Sequence, residues 1–287
     1  LMLLASFSLA LMGGFATVVS QVLPPVEVTF FRNIFGVVLV GIAIYKVPLK
    51  QTGGKPFLLL FRGAMGFAAL LAYFYIMAFI PLGEAVTYNK TSPIFVAIFA
   101  YLFLNEKLHP SALIAVIIGF IGIVLVAQPE GGTFDKYDIL GIFSGIGAAL
   151  AYTSIRELRK YYDTRAIVMS FMGVGTVAPL FLMLITPYVS VSKEFDWMFA
   201  EFVMPQGIEW AYVTAVGVFA TVSQLLMTKA YELTKAGIVG TISYSNIVFA
   251  VIIGIMLGDP IPDIWTVLGI ILVIVSGLLV ALPKGPK

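Results

Sequence analysis

The sequence predicts an all-α integral membrane protein of ten transmembrane helices arranged as two inverted five-helix repeats. Three observations carry this reading. Of the 287 residues, 60% are hydrophobic and only 11% charged, whereas soluble domains carry about 25% charged residues; mean hydropathy is +1.03. Ten apolar stretches, each close to the ~20 residues that one crossing needs, fall at about 2–20, 25–45, 56–79, 82–104, 110–127, 138–158, 166–187, 207–230, 236–257 and 264–282. Finally, "TSPIFVAIFAYLFLNEKLHP" at 91–110 aligns with "YSNIVFAVIIGIMLGDPIPD" at 244–263, and the spans that follow close in "VAQP" and "VALP". An odd number of helices per repeat makes the second copy enter the membrane from the opposite side. The repeats are expected at 1–130 and 131–287, and the connections carry the turn residues Pro24-Pro25, Gly53-Gly54, Pro81, Pro110, Gly131-Gly132 and Pro260.

Span 1 begins "LMLLASFSLALMGG" without a basic leader or a small-residue cleavage site, so it reads as a slightly truncated first crossing and not as a signal peptide. Its Gly13-Gly14 pair serves bending or close packing. Span 2 carries Arg32 in its outer half. With Asn33 and Glu27 nearby, Arg32 reads either as part of a structural ion pair or as a charge on a cavity. Span 3 opens with Arg62 only six residues from the inner edge, where a snorkelling side chain is expected. Further along it lie Tyr73, Tyr75 and Met77, which together with Gln224 and Met227 of span 8 are candidate amphipathic cavity walls.

Span 4 contains "TYNKTSPIF" at 87–95. Within a helix Pro93 cannot donate to the carbonyl of Asn89, and an unsatisfied carbonyl in lipid costs several kcal/mol, so this stretch is expected to face protein or water. A lysine at a helix centre adds about 2.5 to 3.5 kcal/mol on insertion scales. A hydrated cavity shared by spans 4 and 9 offsets both costs. Lys90 then faces a substrate group, or alternatively snorkels or bonds the freed carbonyl. Asn89, Thr91 and Ser92 are its candidate partners in span 4. Tyr244 and Ser245 are the counterparts of Thr91 and Ser92 in span 9, about 13 to 15 Å deep at 1.5 Å per residue, and Asn246 follows them as a further candidate. For Asn89, Thr91, Ser92, Ser243, Ser245 and Asn246, interhelical hydrogen bonding is the competing reading. The second copy has Asn246 where the first has Pro93, and therefore lacks the residue that kinks span 4.

Gly141 and Gly145 of span 6 and Gly254 and Gly258 of span 9 have GxxxG spacing, which suits close helix packing. Between spans 7 and 8, "KEFDWMFAEFVMP" places Phe195, Met198, Phe199 and Phe202 at i, i+3, i+4, i+7, which predicts a short helix on the outer membrane surface. Glu106 and Asp259 lie at span ends, where a carboxylate stabilises a helix terminus or a loop.

Basic residues set the orientation. With the N-terminus inside, twelve of the 17 Lys and Arg residues fall in inner segments and only Lys136 and Lys193 in outer loops, leaving Arg32, Arg62 and Lys90 within helices. Both termini are therefore expected to be cytoplasmic, in a multi-pass plasma (cell inner) membrane protein. A net charge of +2 without a basic patch of interleaved aromatics gives no sign of nucleic-acid binding.

The residues 80–108, "IPLGEAVTYNKTSPIFVAIFAYLFLNEKL", resemble the drug/metabolite transporter superfamily, specifically its permeases with two EamA repeats. The Pro-Leu-x-Glu-Ala helix start, the mid-helix Ser-Pro and the Glu at the helix end carry the likeness. The second copy follows the pattern with Asp259 at the Glu106 position. This resemblance implies a carrier of amino acids, nucleoside derivatives, sugars or other small metabolites, and it leaves the substrate open.

Nothing in the residues suggests catalysis. The chain has no cysteine and a single histidine, His109, so thiolate and histidine-rich metal sites are excluded, and no P-loop, GxSxG or HExxH motif occurs. No catalytic residue, metal or cofactor is expected. The expected partners are a small-molecule substrate, the lipid bilayer, and a coupling proton or counter-substrate. The function expected is secondary active transport by alternating access around a midplane cavity. Two alternatives would need features the sequence lacks: an enzyme acting on a lipid-linked substrate would want paired deep carboxylates, and a channel would want a continuous polar stripe. The surplus of deep cations over deep acids points to a substrate bearing a carboxylate.

Overall fold

A computed structural model of the chain describes residues 1–49, 52–104, 110–128, 134–189, 192, 195–233 and 242–281. Glu106 and His109 lie outside the described residues. Eleven α-helices are present among the described residues: α1 Met2–Val19, α2 Pro25–Lys46, α3 Pro56–Met77, α4 Leu82–Asn89, α5 Ser92–Leu104, α6 Pro110–Ala127, α7 Lys136–Leu158, α8 Thr164–Ile185, α9 Glu209–Leu233, α10 Ser245–Leu257 and α11 Ile264–Ala281. Because α4 and α5 are the two halves of span 4, these helices make up the ten predicted spans. Six of them have both the length and the apolarity of a full crossing.

Local chemistry sets the helix ends. Proline occupies the first turn of α2 and α3, where its missing N–H costs nothing. Asp135 and Asp138 form a reciprocal capping box on α7, and Asp163 accepts from the Arg165 N–H at 2.9 Å to cap α8. Large apolar side chains of α6 such as Leu113, Ile117, Ile121 and Val124 point outward, as a hydrocarbon solvent allows.

Where a proline kink is expected, span 4 is interrupted outright at Lys90 and Thr91. The Thr91 hydroxyl donates to the Tyr88 carbonyl at 2.6 Å, and the Ile94 N–H bonds three residues back to the Thr91 carbonyl at 2.9 Å. Span 9 breaks at the equivalent place without a proline. Helical residues 242 and 243 give way to a turn at Tyr244, the Ser245 hydroxyl donates to the Ile242 carbonyl at 2.7 Å, and the Ile247 N–H bonds to the Tyr244 carbonyl at 3.0 Å. Hydroxyls bonding local carbonyls are thus common to both breaks, and Pro93 is particular to one.

The helix pairings map onto themselves when the halves are exchanged. The pairs α1–α9 and α7–α3 correspond, as do α3–α8 and α9–α2, and also α1–α10 and α7–α5; α2–α8 and α6–α11 pair with their own counterparts, and α4 of span 4 packs on α10 of span 9. Each half therefore packs mainly against the other, so their shared interface forms the centre of the molecule. The predicted surface helix after α8 is not formed among the described residues. Residues 195–198 make one turn, 199–206 are irregular, and Trp197 and Met198 turn inward onto buried apolar side chains. Burying these side chains in protein outweighs an amphipathic stripe on the surface.

Candidate functional site

A cavity of about 210 Å³ lies where the two halves meet. The break in span 4 contributes Asn89 and Lys90 to its wall, and the first turn of α10 contributes Asn246. Arg32 reaches it from α2, Arg62 and Tyr73 from α3, Tyr152 from α7, Phe171 and Met172 from α8, and Gln224 and Met227 from α9. Its walls lie toward the end of the bundle at which α3 and α8 begin and α9 finishes. Arg62 is six residues past the start of α3, Val168 is four past the start of α8, and Met227 is six short of the end of α9.

Among the described residues, three cations line this cavity and no Asp or Glu does. Among the described residues, no carboxylate lies within ion-pair distance of Arg32, Arg62 or Lys90. The Arg32 Nη1 donates to Asn33 Oδ1 at 2.8 Å, so the alternative of a pair with Glu27 is not realised; a Glu27 oxygen instead accepts from the Val203 N–H at 3.0 Å. Both guanidiniums sit against the Phe171 ring, Arg32 at 5.4 Å and Arg62 at 4.7 Å from its centroid. Such contacts are worth about 0.5 to 2 kcal/mol each and do not satisfy N–H groups. The Arg32 Nε and the Arg62 Nε and Nη1 have no hydrogen-bond partner among the described residues.

Arg62 does not snorkel. It is 7% exposed and turned inward, and Gly66 one turn later explains how. A Cβ at position 66 would lie 2.8 Å from the Phe171 ring and 3.2 Å from Arg62 Nη1, so only glycine leaves room for the stacked pair.

The remaining sequence candidates divide by position. Tyr73, Asn89, Lys90, Gln224, Asn246 and Arg32 meet at the cavity. Thr91, Ser92, Tyr244 and Ser245 are not among its lining residues; Thr91 and Ser245 spend their hydroxyls on the helix breaks. Asn246 also donates to the Ser6 carbonyl at 3.0 Å, which ties α10 to α1. Tyr75 and Met77 lie off the cavity as well. Sequence reasoning missed Tyr152, Phe171 and Met172, since one aromatic or Met among many carries no mark of its facing.

Polar groups and rings close the end of the bundle opposite Arg62. The Tyr75 hydroxyl donates to Asp196 at 3.0 Å, Lys136 donates to that hydroxyl at 3.1 Å, and Lys136 pairs with Asp196. Phe79 packs between Tyr75 and Tyr137 at 4.8 and 5.1 Å between centroids. Asp259 accepts from the Leu82 N–H at 2.7 Å, capping α4 from the other half. At the Arg62 end, Glu157 receives Lys55 at 2.8 Å and Lys160 at 2.6 Å. These hydrogen bonds, with Lys160 first, hold the Glu157 carboxyl down at about 2, and Glu157 in turn raises Lys55.

Known proteins share this architecture. A model of the EamA-like transporter family matches residues 1–128 and again 135–282. The chain is 33% identical over 290 residues to an uncharacterized transporter of Helicobacter pylori strain J99, covering 99% of this chain and 94% of that one. It is 30% identical over 278 residues to the pseudopaline exporter of Pseudomonas aeruginosa strain UCBPP-PA14, covering 96% and 93% of the two chains. A solved crystal structure at 18% identity superposes with a TM-score of 0.59 over 97% of this chain and 95% of the other, a likeness of fold.

Proposed function

We propose that this chain, which belongs to the EamA-like transporter family, is a secondary carrier for a small anionic or amphipathic metabolite bearing a carboxylate. The observation that supports this reading is the cluster of Arg32, Arg62 and Lys90 around one cavity without a carboxylate among its lining residues. Cations in a low-dielectric bundle whose cavity offers them no counter-ion favour a negative guest, which supplies the missing acceptors.

In this reading the repeats 1–130 and 131–287 rock against each other, and both termini lie in the cytoplasm of a plasma-membrane protein. Substrate enters the cavity, pairs with Lys90 at the span 4 break and rests against the neutral groups Asn89, Gln224 and Asn246. The breaks at Lys90 and Tyr244 place a flexible point beside the guest in each half. Motion is driven by a counter-substrate or a coupling proton.

Counterflow of labelled carboxylate metabolites in proteoliposomes tests the proposal. Lys90→Ala is expected to insert normally and to reduce counterflow on the order of tenfold or more, the worth of one charge-assisted hydrogen bond. Unchanged rate and affinity in that variant would remove Lys90 from the site, and chemical conversion of solute without movement would replace the carrier with an enzyme.

A further inference from the structure

Resting on the reading of the cavity as the transport site, we infer that its substrate carries at least two anionic groups on one compact body, one held by the Arg32–Arg62 pair and the other by Lys90. A single carboxylate leaves too much unanswered. Arg32 and Arg62 come from neighbouring helices and lean on one ring, Phe171, at 5.4 and 4.7 Å. Three of their N–H-bearing nitrogens, the Arg32 Nε and the Arg62 Nε and Nη1, have no acceptor among the described residues. Arg62 is 7% exposed, so bulk solvent is a poor substitute. Both arginines line the same cavity, and paired guanidiniums are the groups that bind planar carboxylates and phosphates bidentately.

Lys90 belongs to a different wall. It caps α4 at the span 4 break, next to the neutral Asn89, and does not share the Phe171 ring that both arginines touch. A monoanion seated on the arginine pair would leave the lysine unanswered, and one seated on the lysine would leave two guanidiniums beside one ring without a counter-ion. A dianion answers both walls at once.

The charges are also distributed unequally between the halves. All three cations belong to the first repeat, whereas the second contributes Tyr152, Phe171, Met172 and Met227 with the neutral amides Gln224 and Asn246. The guest therefore has an anionic side toward the first repeat and an apolar or neutral side toward the second. Carboxylate and phosphate share this chemistry, and the experiment separates them.

Isothermal titration of the purified full chain in nanodiscs tests the inference with the linear diacids malonate to adipate, the monocarboxylates of matched length, and glycerol 3-phosphate beside glycerol. At least one dianion is expected to bind tenfold or more tighter than its monoanionic or neutral counterpart. A diacid preference identifies carboxylates, and a preference confined to glycerol 3-phosphate identifies phosphate. Arg62→Met and Lys90→Met should each reduce the preference to less than threefold, with Arg62→Lys intermediate because it keeps charge and loses the fork. Without anion, Arg62→Met should melt no lower than the parent, because it removes a buried cation; a purely structural arginine would lower the midpoint and leave the preference intact. Equal affinity for monoanions and dianions throughout, or full preference in both Met variants, overturns the inference. Should dianions bind preferentially but show no counterflow, the transport reading fails and the charge count stands. Counterflow of monoanions with no dianion preference leaves the transport reading standing and overturns the charge count.

Discussion

Asn33 shows how much positioning one buried amide performs. It is fully buried, donates to the Thr29 carbonyl at 2.8 Å and the Gly175 carbonyl at 3.1 Å, and accepts from Arg32. One side chain thereby fixes α2 against α8 and directs a cavity cation. Replacing it by alanine removes all three bonds and leaves carbonyls in a dry contact, where an unsatisfied group costs about 1 to 3 kcal/mol. Asn33→Ala is expected to lower the denaturation midpoint in mild detergent accordingly and to weaken dianion binding through a released Arg32. An unaltered midpoint with unaltered binding would show that the amide holds neither the helix nor the arginine. Lys90 is legible in the sequence because a cation at the centre of an apolar run requires explanation. Arg62 is not, since its depth suits a snorkelling chain equally well, and only the packing of Gly66 against Phe171 decides its direction.

At the level of elements, the two broken helices separate what composition reveals from what it hides. Their number, length and order follow from apolar runs and capping residues, and all ten spans are readable on that basis. The break in span 9 is hidden because the proline signal is absent there, whereas the hydroxyl bond that accompanies it looks like any other serine. Comparing the two breaks makes Pro93 dispensable for the geometry. Pro93→Ala is expected to keep the interruption at Lys90, with residues 90 and 91 still outside regular helix in a solved structure of the variant, and to change the melting midpoint by only a few degrees. A continuous helix across those residues would assign the break to proline after all. Gly145 is the opposite case. A Cβ there would run into the Thr91 hydroxyl and stand 3.0 Å from the Tyr88 carbonyl, so the break is seated against α7 by the absence of a side chain. Gly145→Leu should cost about 1 to 3 kcal/mol by overpacking, read from the same melt, and should reduce binding at Lys90. The surface helix expected after α8 fails for a comparable reason, because Trp197 and Met198 find a protein partner that no local pattern specifies.

At the level of the whole molecule, the cavity and the closure of the opposite end together bear on motion. The exchange symmetry of the helix pairs means that each contact class at one end has a counterpart at the other, and a carrier that alternates must loosen one set while forming the other. Here the ring stack of Tyr75, Phe79 and Tyr137 and the cluster of Tyr75, Lys136 and Asp196 join α3, α7 and the segment before α9 on the side away from Arg62. Exposed ion pairs contribute only about 0 to 1 kcal/mol, which suits a contact that breaks in every cycle. Since the chain has no cysteine, a single Ala151→Cys in the cavity wall reports access directly through a membrane-impermeant maleimide. Labelling is expected to be faster from the side on which α3 begins than from the side bearing Asp196. Adding Asp196→Ala removes the acceptor that Tyr75 and Lys136 share and should raise labelling from the Asp196 side by about twofold to tenfold, the population shift that 0.4 to 1.4 kcal/mol produces. Lys55→Ala, which leaves Glu157 with Lys160 alone and unties α3 from α7 at the other end, should leave that rate unchanged or lower it, because it favours the state closed on the Asp196 side. If Asp196→Ala does not alter access from its own side, the cluster is a surface contact and closure rests on the aromatic stack alone.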